Sequence, residues 1–270
     1  SMKHILTLLA FVVLARYSSG GTVSYIRFEE NGGSLARDET GLLDGDLISF
    51  TSNQKLPGGG DTYGAGWSTD TPCSTIPQTG EANTTSMRIN GGSTFIDLSN
   101  SATLVLGYSF TLEMFIKPDE LAAQYGAGIF GFGSDYTDQL FFRIISSSGN
   151  SSFTSLFMET RVSFPAEEIR FNAWQHVALV KDQGEYSVYL DGQLLHNEEL
   201  SPTTDGPYEF HNPITGSRTI GDGFRGWIDE FRISDEALLP SQFLNATIPE
   251  PTTLGLLGLG LLSLLIRKRK

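Results

Sequence analysis

One segment near the middle of the sequence, EYSVYLDGQLL at residues 185–195, limits the fold of this chain more than any other feature. Tyr186, Val188 and Leu190 recur at every second position, and the dipeptide Asp191-Gly192 follows them. Side chains point alternately to the two faces of a strand, and Asp-Gly between apolar runs favours a tight turn between two antiparallel strands. The segment therefore predicts a β-hairpin.

Strand-like segments recur along the chain, and helix signals are few. In SFTLEMFIK, residues 109–117, the apolar Phe110, Leu112, Met114 and Ile116 share one face. Short strands separated by turns rich in Gly, Asn and Ser predict an all-β sandwich. Residues 235–244 offer only a helical turn or two. The other strand-like segments are 139–146, 153–159, 174–182 and 225–233.

Residues 51–93 differ from the rest because they are rich in Gly, Thr, Ser and Pro. This composition predicts a long irregular excursion across one end of the sandwich. Tyr63 and Trp67 lie in the excursion and are candidates for an exposed stacking platform that binds a ligand. Packing over the end of the sandwich is the alternative for both rings. Trp174 and Trp227 lie in strand-like segments and are predicted to belong to the core.

The first 20 residues have the features of a secretory signal peptide. One Lys near the start is followed by an apolar run from Ile5 to Ala15 and then by small residues. This order predicts a signal helix over residues 1–20 that is removed during export.

Residues 248–270 combine three features in a fixed order. Pro249, Glu250 and Pro251 precede an apolar run from Leu254 to Ile266. As a helix this run of about 13 residues would be ~20 Å long, which is short of the ~30 Å core of a bilayer. The basic cluster that follows consists of Arg267, Lys268, Arg269 and Lys270.

This three-part pattern resembles the PEP-CTERM sorting signal of Gram-negative bacteria. The resemblance implies an exosortase-type processing enzyme as a partner and a membrane contact only through the short C-terminal helix before processing. It also implies export to the cell surface or extracellular matrix. An ordinary tail anchor is the alternative.

Four further segments, taken in order, resemble a laminin-G-like domain of the concanavalin-A-like group. They are YIRFEENGGSLARDETG, FIDLSNSATLVLGYSFTLEMFIKPD, FNAWQHVALVKDQGEYSVYLDGQLL and GWIDEFRISDEAL. The resemblance implies one jelly-roll β-sandwich over residues 21–247. Glucanases share this fold class, so binding and hydrolysis are both open at this point.

The charge of the chain excludes one class of partner. The formal net charge is −13, and a mature chain of roughly residues 21–251 would lack six terminal cations and no acid, leaving −19. Such a surface repels nucleic acid and anionic lipid, and it could attract divalent cations. Cys73 is the only cysteine, so no disulfide within the chain is possible.

The laminin-G-like resemblance also implies a structural Ca²⁺ near a rim of the sandwich. Its first and last strands are expected to be neighbours, which would bring Glu29 close to Asp229, and Asp38 in the following turn could supply a third carboxylate. Calcium prefers six to eight oxygen ligands of this kind. The alternative is that Asp229 merely accepts hydrogen bonds from a turn.

Hydrolysis of a glycosidic bond needs two carboxylates across the scissile bond. Jelly-roll glucanases carry theirs as Glu-x-Asp-x-Glu on one strand, and this pattern is absent from the sequence. Asp229 and Glu230 are adjacent and would point to opposite faces of a strand. The segment GAGIFG at 126–131 spells a dinucleotide fingerprint but is followed by strand-like residues. We therefore expect no catalytic residues and no organic cofactor.

These observations predict an exported binding module whose ligand is a glycan or exopolysaccharide. A structural matrix or adhesion protein that binds other proteins is the second interpretation. An enzyme of the glycoside hydrolase type is the third.

Removal of the C-terminal signal is directly testable. We expect the protein released from the surface of its native host to lack the basic residues 267–270, because the short apolar run and its flanks are typical of a processed segment. Intact-mass measurement checks this, and a mass that includes these four residues would contradict it.

Overall fold

The computed structural model describes residues 21–48, 65–91, 94–98, 105–119, 127–132, 140–147, 150–157, 160–165, 169–199, 208–209 and 218–246. The expected signal helix, Tyr63 and every residue of the sorting signal lie outside these ranges. Within them the chain forms strands and one short 3-10 turn. The prediction of an all-β fold is thus confirmed.

The described chain contains 18 strands of two to ten residues. In chain order they are β1 Thr22–Ile26, β2 Leu35–Ala36, β3 Gly45–Ile48, β4 Ala65–Ser68, β5 Ser86–Asn90, β6 Phe95–Asp97, β7 Val105–Leu106, β8 Ser109–Pro118, β9 Ala127–Phe132, β10 Leu140–Ser147, β11 Asn150–Phe157, β12 Thr160–Pro165, β13 Gln175–Asp182, β14 Glu185–Leu190, β15 Gln193–Glu199, β16 Tyr208–Glu209, β17 Arg218–Ile220 and β18 Arg225–Ser234.

Two antiparallel sheets of eight strands form the sandwich. The first sheet has the order β15-β14-β13-β8-β18-β5-β4, and β1 also pairs with β18. The second has the order β12-β11-β10-β9-β17-β6-β3-β2, and β16 and β7 form a separate pair. Strand β18 therefore has two partners on one side, with β5 along its first half and β1 along its second half.

The predicted hairpin is present as β14 and β15. Its turn residues Asp191 and Gly192 have φ angles of 50° and 78°, which is the left-handed conformation that a tight two-residue turn of this type requires. In β8 the predicted alternation also holds. Phe110, Leu112, Met114 and Ile116 all belong to the core between the sheets.

The excursion at 51–93 is less irregular than its composition predicted. Its described part, from residue 65 onward, contains the two strands β4 and β5. In β5, Met87 and Ile89 enter the core while Arg88 is only partly buried. This short alternation was hidden among glycines and hydroxyl residues, whereas residues 69–85 do form loops with only one isolated bridge.

Two chain segments cover the outer face of the first sheet. The C-terminal segment 235–246 contributes Leu238 and Phe243, which pack on Ala178 and Val180 of β13. Its Leu244 packs with Ile76, from the 69–85 loop, on the sheet. The helical signal at 235–244 corresponds to the 3-10 turn Pro240–Gln242.

Beneath the C-terminal segment lies the fully buried carboxylate of Glu113 in β8. Arg232 of β18 donates to Glu113 Oε1 from Nε at 2.7 Å, and the backbone N–H of Leu244 donates to Oε2 at 2.8 Å. His176 Nε2 of β13 lies 2.8 Å from the same Oε2. Burial opposes ionisation, but His176 and Arg232 outweigh it and hold the pKa of Glu113 below its ordinary value.

We expect Glu113→Gln to lower the free energy of unfolding by about 3–5 kcal/mol, because the substitution leaves the guanidinium of Arg232 buried without its counter-charge. Urea denaturation at pH 7 measures the change. As the folded pKa of Glu113 is depressed, its contribution is present above the ordinary carboxyl pKa and is lost as the pH falls through the folded value.

Arg170→Gln is the matched control. Its partner is Asp191, and the two side chains are 60% and 44% exposed, so the expected loss is no more than about 1 kcal/mol. Equal losses of unfolding free energy in the two variants would contradict the prediction that the buried ion pair of Glu113 stabilises the fold more than an exposed pair does.

Candidate functional site

Four adjacent strands of the first sheet place one residue each in a row across the outer face. Trp227 of β18 is paired with Arg88 of β5 on one side and with Lys117 of β8 on the other. Arg88 is paired in turn with Gly66 of β4. Neighbouring strands are ~4.8 Å apart, so the row is roughly 14 Å long. We call these four residues the Trp227 row.

Two cations contact the indole ring of Trp227. The guanidinium carbon of Arg88 lies 4.0 Å from the ring centroid, and Lys117 Nζ lies 4.8 Å from it. Both distances are within the range of a cation–π interaction. The indole N–H donates to Ser68 Oγ at 3.1 Å, so the ring is held both at its edge and over its face.

Two carboxylates neutralise part of this positive charge. Asp119 Oδ2 accepts from Arg88 Nη2 at 3.1 Å and from Arg225 Nε at 2.6 Å. Its side chain and those of both arginines are 13–20% exposed, so the group is accessible from solvent. Arg88 Nε also donates to Asn90 Oδ1 at 2.8 Å, which fixes the guanidinium from a third direction.

Asp70 is the second carboxylate, and it neutralises Lys117 at the other end of the row. Its two carboxylate oxygens accept from Lys117 Nζ at 2.5 Å and from Trp174 Nε1 at 2.9 Å. Burial would raise the pKa of Asp70, but these two hydrogen bonds outweigh it and the pKa lies below its ordinary value. The carboxylate is therefore ionised at neutral pH and joins the second tryptophan to the row.

The prediction that Trp174 and Trp227 belong to the core is met only by Trp174, which packs against the buried Ile76, Phe115 and Leu244. Both are only partly buried, and Trp227 packs in no cluster of buried apolar residues within the described chain. Both indole N–H groups bind polar side chains at the outer face. The row was missed because neither the register of β5 nor a bulge in β18 could be read from the sequence.

The described structure includes only one of the two residues predicted to form a stacking platform. Tyr63 lies outside the described residues. Trp67 lies in β4, is partly buried and packs against the main core, and its Nε1 donates to the carbonyl of Gly33 at 3.0 Å. A ligand-binding role for this pair stays a prediction.

Asp38 organises the turn after β1. Its Oδ1 accepts from the backbone N–H groups of Tyr25 and Thr40 at 2.8 and 2.9 Å, and its Oδ2 accepts from that of Leu43 at 2.8 Å. These bonds outweigh burial and lower the pKa of Asp38. The carboxylate thus ties the turn to the first strand.

Glu29 and Asp229 have separate partners. Glu29 accepts from the N–H groups of Thr84 and Thr85 at 2.8 and 3.2 Å. Asp229 Oδ2 accepts from Asn83 Nδ2 at 2.9 Å, while its fully buried Oδ1 has no partner among the described residues.

The described structure does not bring Glu29, Asp38 and Asp229 together into one group. Within the described ranges no group of three or more His, Cys, Asp or Glu side chains is arranged to hold a metal. Asp38 in particular is already surrounded by N–H donors, which a cation would have to displace. Calcium binding through Glu29, Asp38 and Asp229 stays a prediction.

Asp229 and Glu230 form a β-bulge in the middle of β18. Asp229 is paired with Phe115 and Arg232 with Glu113, so three steps along β18 correspond to two along β8. Glu230 has a φ of 53°, and both carboxylates are fully buried. Burial, opposed by the Asn83 hydrogen bond, raises the pKa of Asp229 to about 9.

Glu230 is held by the first strand. Tyr25 Oη donates to Glu230 Oε2, and Arg27 Nη2 lies 3.2 Å from Oε1. Burial raises the pKa of Glu230 in spite of these contacts, and burial together with the nearby carboxylate raises the pKa of Tyr25. The bulge is therefore a closed polar cluster that joins β1 to β18.

Solved structures with the same fold belong to two glycosidases and to the binding domain of a mosquitocidal protein. Domain 4 of AbnA, an extracellular GH43 arabinanase from Geobacillus stearothermophilus whose structure was determined in complex with arabinotriose, is 20% identical, with a TM-score of 0.53 over 83% of this chain and 96% of that one. A sialidase from Trypanosoma rangeli is 15% identical, with a TM-score of 0.52 over 84% of this chain and 32% of that one.

The binding domain of Paraclostridial Mosquitocidal Protein 1 is 12% identical, with a TM-score of 0.52 over 82% of this chain and 50% of that one. At these identities the similarity establishes the fold. The chain spans about a third of the sialidase and half of the mosquitocidal binding domain. No curated protein gave a match.

Two family models match the sequence. The PEP-CTERM protein-sorting motif covers residues 247–270, as the three-part pattern predicted. Among the described residues no helix is long and apolar enough to cross a membrane. The model of the concanavalin A-like lectin/glucanases superfamily covers residues 90–242, more than half of the sequence. The chain therefore belongs to the concanavalin A-like lectin/glucanase superfamily.

Proposed function

We propose that this chain is a glycan-binding module without catalytic activity and that the Trp227 row is its binding surface. The observation that carries the proposal is the arrangement of a partly buried aromatic ring beside fixed planar polar groups on a sheet surface. Arg88, Asn90 and Asp119 are already oriented by one another.

A sugar ring presents apolar C–H groups on its faces and hydroxyl groups around its edge. A tryptophan supplies a large rigid apolar surface with little loss of conformational entropy, and carboxylate, amide and guanidinium groups pair with hydroxyls. The Trp227 row offers both kinds of contact within one patch. Because its polar groups are held by ion pairs, little ordering is needed when a ligand binds.

The relatives support this proposal without deciding it. The matched superfamily is described as lectins and glucanases, and the structure of arabinanase domain 4 was determined with arabinotriose. One fold hosts many activities, so the function of this chain depends on the residues of its site.

The proposed location follows from the sorting motif. A PEP-CTERM motif at residues 247–270 supports export, processing by an exosortase-type enzyme and display at the surface or in the matrix of a Gram-negative bacterium. The acidic net charge of −13 supports solubility there. The proposed partners are thus that enzyme and an extracellular glycan.

The absence of catalysis is part of the proposal and is supported by the adjacent acids of β18. Asp229 and Glu230 are both fully buried, whereas a glycosidase needs two carboxylates on either side of the bond that it cleaves. Their hydrogen bonds to Asn83, Tyr25 and Arg27 are those of a structural cluster.

We expect Trp227→Ala to weaken glycan binding at least about tenfold, because a central tryptophan in an interface commonly contributes that much. A glycan array identifies the ligand, and titration calorimetry with the purified full-length chain in mild detergent gives the dissociation constant. Tyr108→Ala is the matched control, since Tyr108 is 51% exposed and precedes the opposite end of β8.

Unchanged binding in Trp227→Ala, with thermal melts showing that it folds, would contradict the assignment of the row. Retention of matrix proteins with no response on the array would favour the adhesion interpretation. Release of reducing ends from a bound glycan would contradict the absence of catalysis.

A structural role for Asp229 predicts an unusual pH dependence. Its folded pKa of about 9 lies above its ordinary value, so between about pH 4 and pH 9 the folded state binds the extra proton and stability falls as the pH rises. Asp229→Asn keeps the hydrogen bond from Asn83 but cannot ionise. We expect it to unfold at higher urea concentration than the wild type at pH 8.

The same comparison at pH 5 is the control, because near the ordinary carboxyl pKa the unfolded chain takes up the proton at little cost, so the two proteins should differ less there than at pH 8. A destabilised Asp229→Asn at pH 8, or a destabilisation that depends on added Ca²⁺, would show that the carboxylate form is the one that the fold needs.

A further inference from the structure

Cations are concentrated around Trp227 in a chain that has few of them. The sequence contains 18 Lys and Arg against 31 Asp and Glu. Three of the cations, Arg88, Lys117 and Arg225, surround one tryptophan, where two of them contact its ring and the third shares a carboxylate with Arg88.

The carboxylates in the patch do not balance these charges. Asp119 is shared by Arg88 and Arg225, and Asp70 pairs with Lys117. In these ion pairs of the described chain, three cations therefore meet two carboxylates. Counted over these five described side chains, the charge is +1 on a protein whose net charge is −13.

This excess charge is held in place rather than mobile. Arg88 is fixed by Asn90, Asp119 and the indole ring, and all three cationic side chains are 18–20% exposed. A guanidinium that is already oriented loses little entropy when it forms a further charge-assisted bond, and its planar donors match a carboxylate.

We infer that the ligand of the Trp227 row is an acidic glycan, a chain of uronic acids whose carboxylates approach Arg88 and Lys117. The inference rests on the proposed glycan binding and adds the chemical class of the sugar. The overall negative charge repels a polyanion at a distance, so the preference for acid must come from these short contacts.

A substitution at Gly66 gives an independent test of binding at the Trp227 row. Gly66 stands beside Arg88 at the end of the row, and a Cβ added there would meet no atom of the described chain within 4 Å. A side chain at this position can therefore project over the sheet without disturbing it. Gly66→Leu should obstruct any ligand lying along the row while leaving the stability unchanged.

The test compares uronic acid oligosaccharides with their own methyl esters, which have the same sugar and linkage but no charge. Tetramers of galacturonate, glucuronate and mannuronate are titrated, as acid and as ester, into the full-length chain by calorimetry. We expect at least one acid to bind about tenfold or more tightly than its ester, as one charge-assisted contact would give.

Arg88→Gln is expected to abolish the difference between acid and ester, and Gly66→Leu to weaken both forms. Arg170→Gln, which removes a 60% exposed cation outside the row, is expected to change neither. Thermal melts accompany each variant, and Gly66→Leu keeps the test valid if Arg88→Gln does not fold.

The outcomes separate this inference from the proposal on which it rests. If glycans bind but no acid binds more tightly than its ester, the acidic ligand is wrong and glycan binding stands. If the preference for acid survives in a folded Arg88→Gln, or if Gly66→Leu binds the acid as tightly as the wild type does, the site is wrong. If no glycan binds at all, the proposed function itself fails.

Discussion

The ionised carboxylate of Glu113 is the interaction on which the outer face of the first sheet depends. It joins β8 to β18 through Arg232, reaches His176 in β13, and accepts the backbone N–H of Leu244 from the C-terminal segment. A charge this deeply buried is costly unless every lone pair has a partner. Its full set of donors therefore requires that the three strands keep their register and that the segment at 235–246 stays closed over them.

The bulge at Asp229 and Glu230 decides what the rest of that face presents. Trp227 and Arg232 are five residues apart, and in a regular strand an odd separation places two side chains on opposite faces. The extra residue in β18 reverses this parity. As a result Ile228 and Phe231 both enter the core, while Trp227 and Arg232 both lie on the outer face, one in the row and the other in the Glu113 cluster.

The same bulge explains how far the sequence could be interpreted. The hairpin at Asp191-Gly192 and the apolar face of β8 follow from period-two patterns and a local turn signal, and both were predicted. Strict alternation backward from Phe231 puts Trp227 in the core, which is why the row was missed. The sequence of residues 228–231 alone does not reveal the bulge. Its cause is the contact of Glu230 with Tyr25 and Arg27, which are distant in the sequence. A similar long-range cause applies to Asp38, whose donors come from β1 and its own turn.

Asp70 connects the Trp227 row to the part of the outer face that the loop 69–85 covers. It lies at the start of the loop 69–85 that covers part of the sheet with Ile76, and its backbone carbonyl accepts from Ser86 Oγ at 2.7 Å. Its carboxylate reaches the other way, to Lys117 and Trp174. The start of the covering loop thus supplies one of the two carboxylates that pair with cations of the row. A sheet surface left bare at this point would expose aromatic rings and uncompensated cations, whereas the edge of the cover holds Lys117 and Trp174 in fixed contacts.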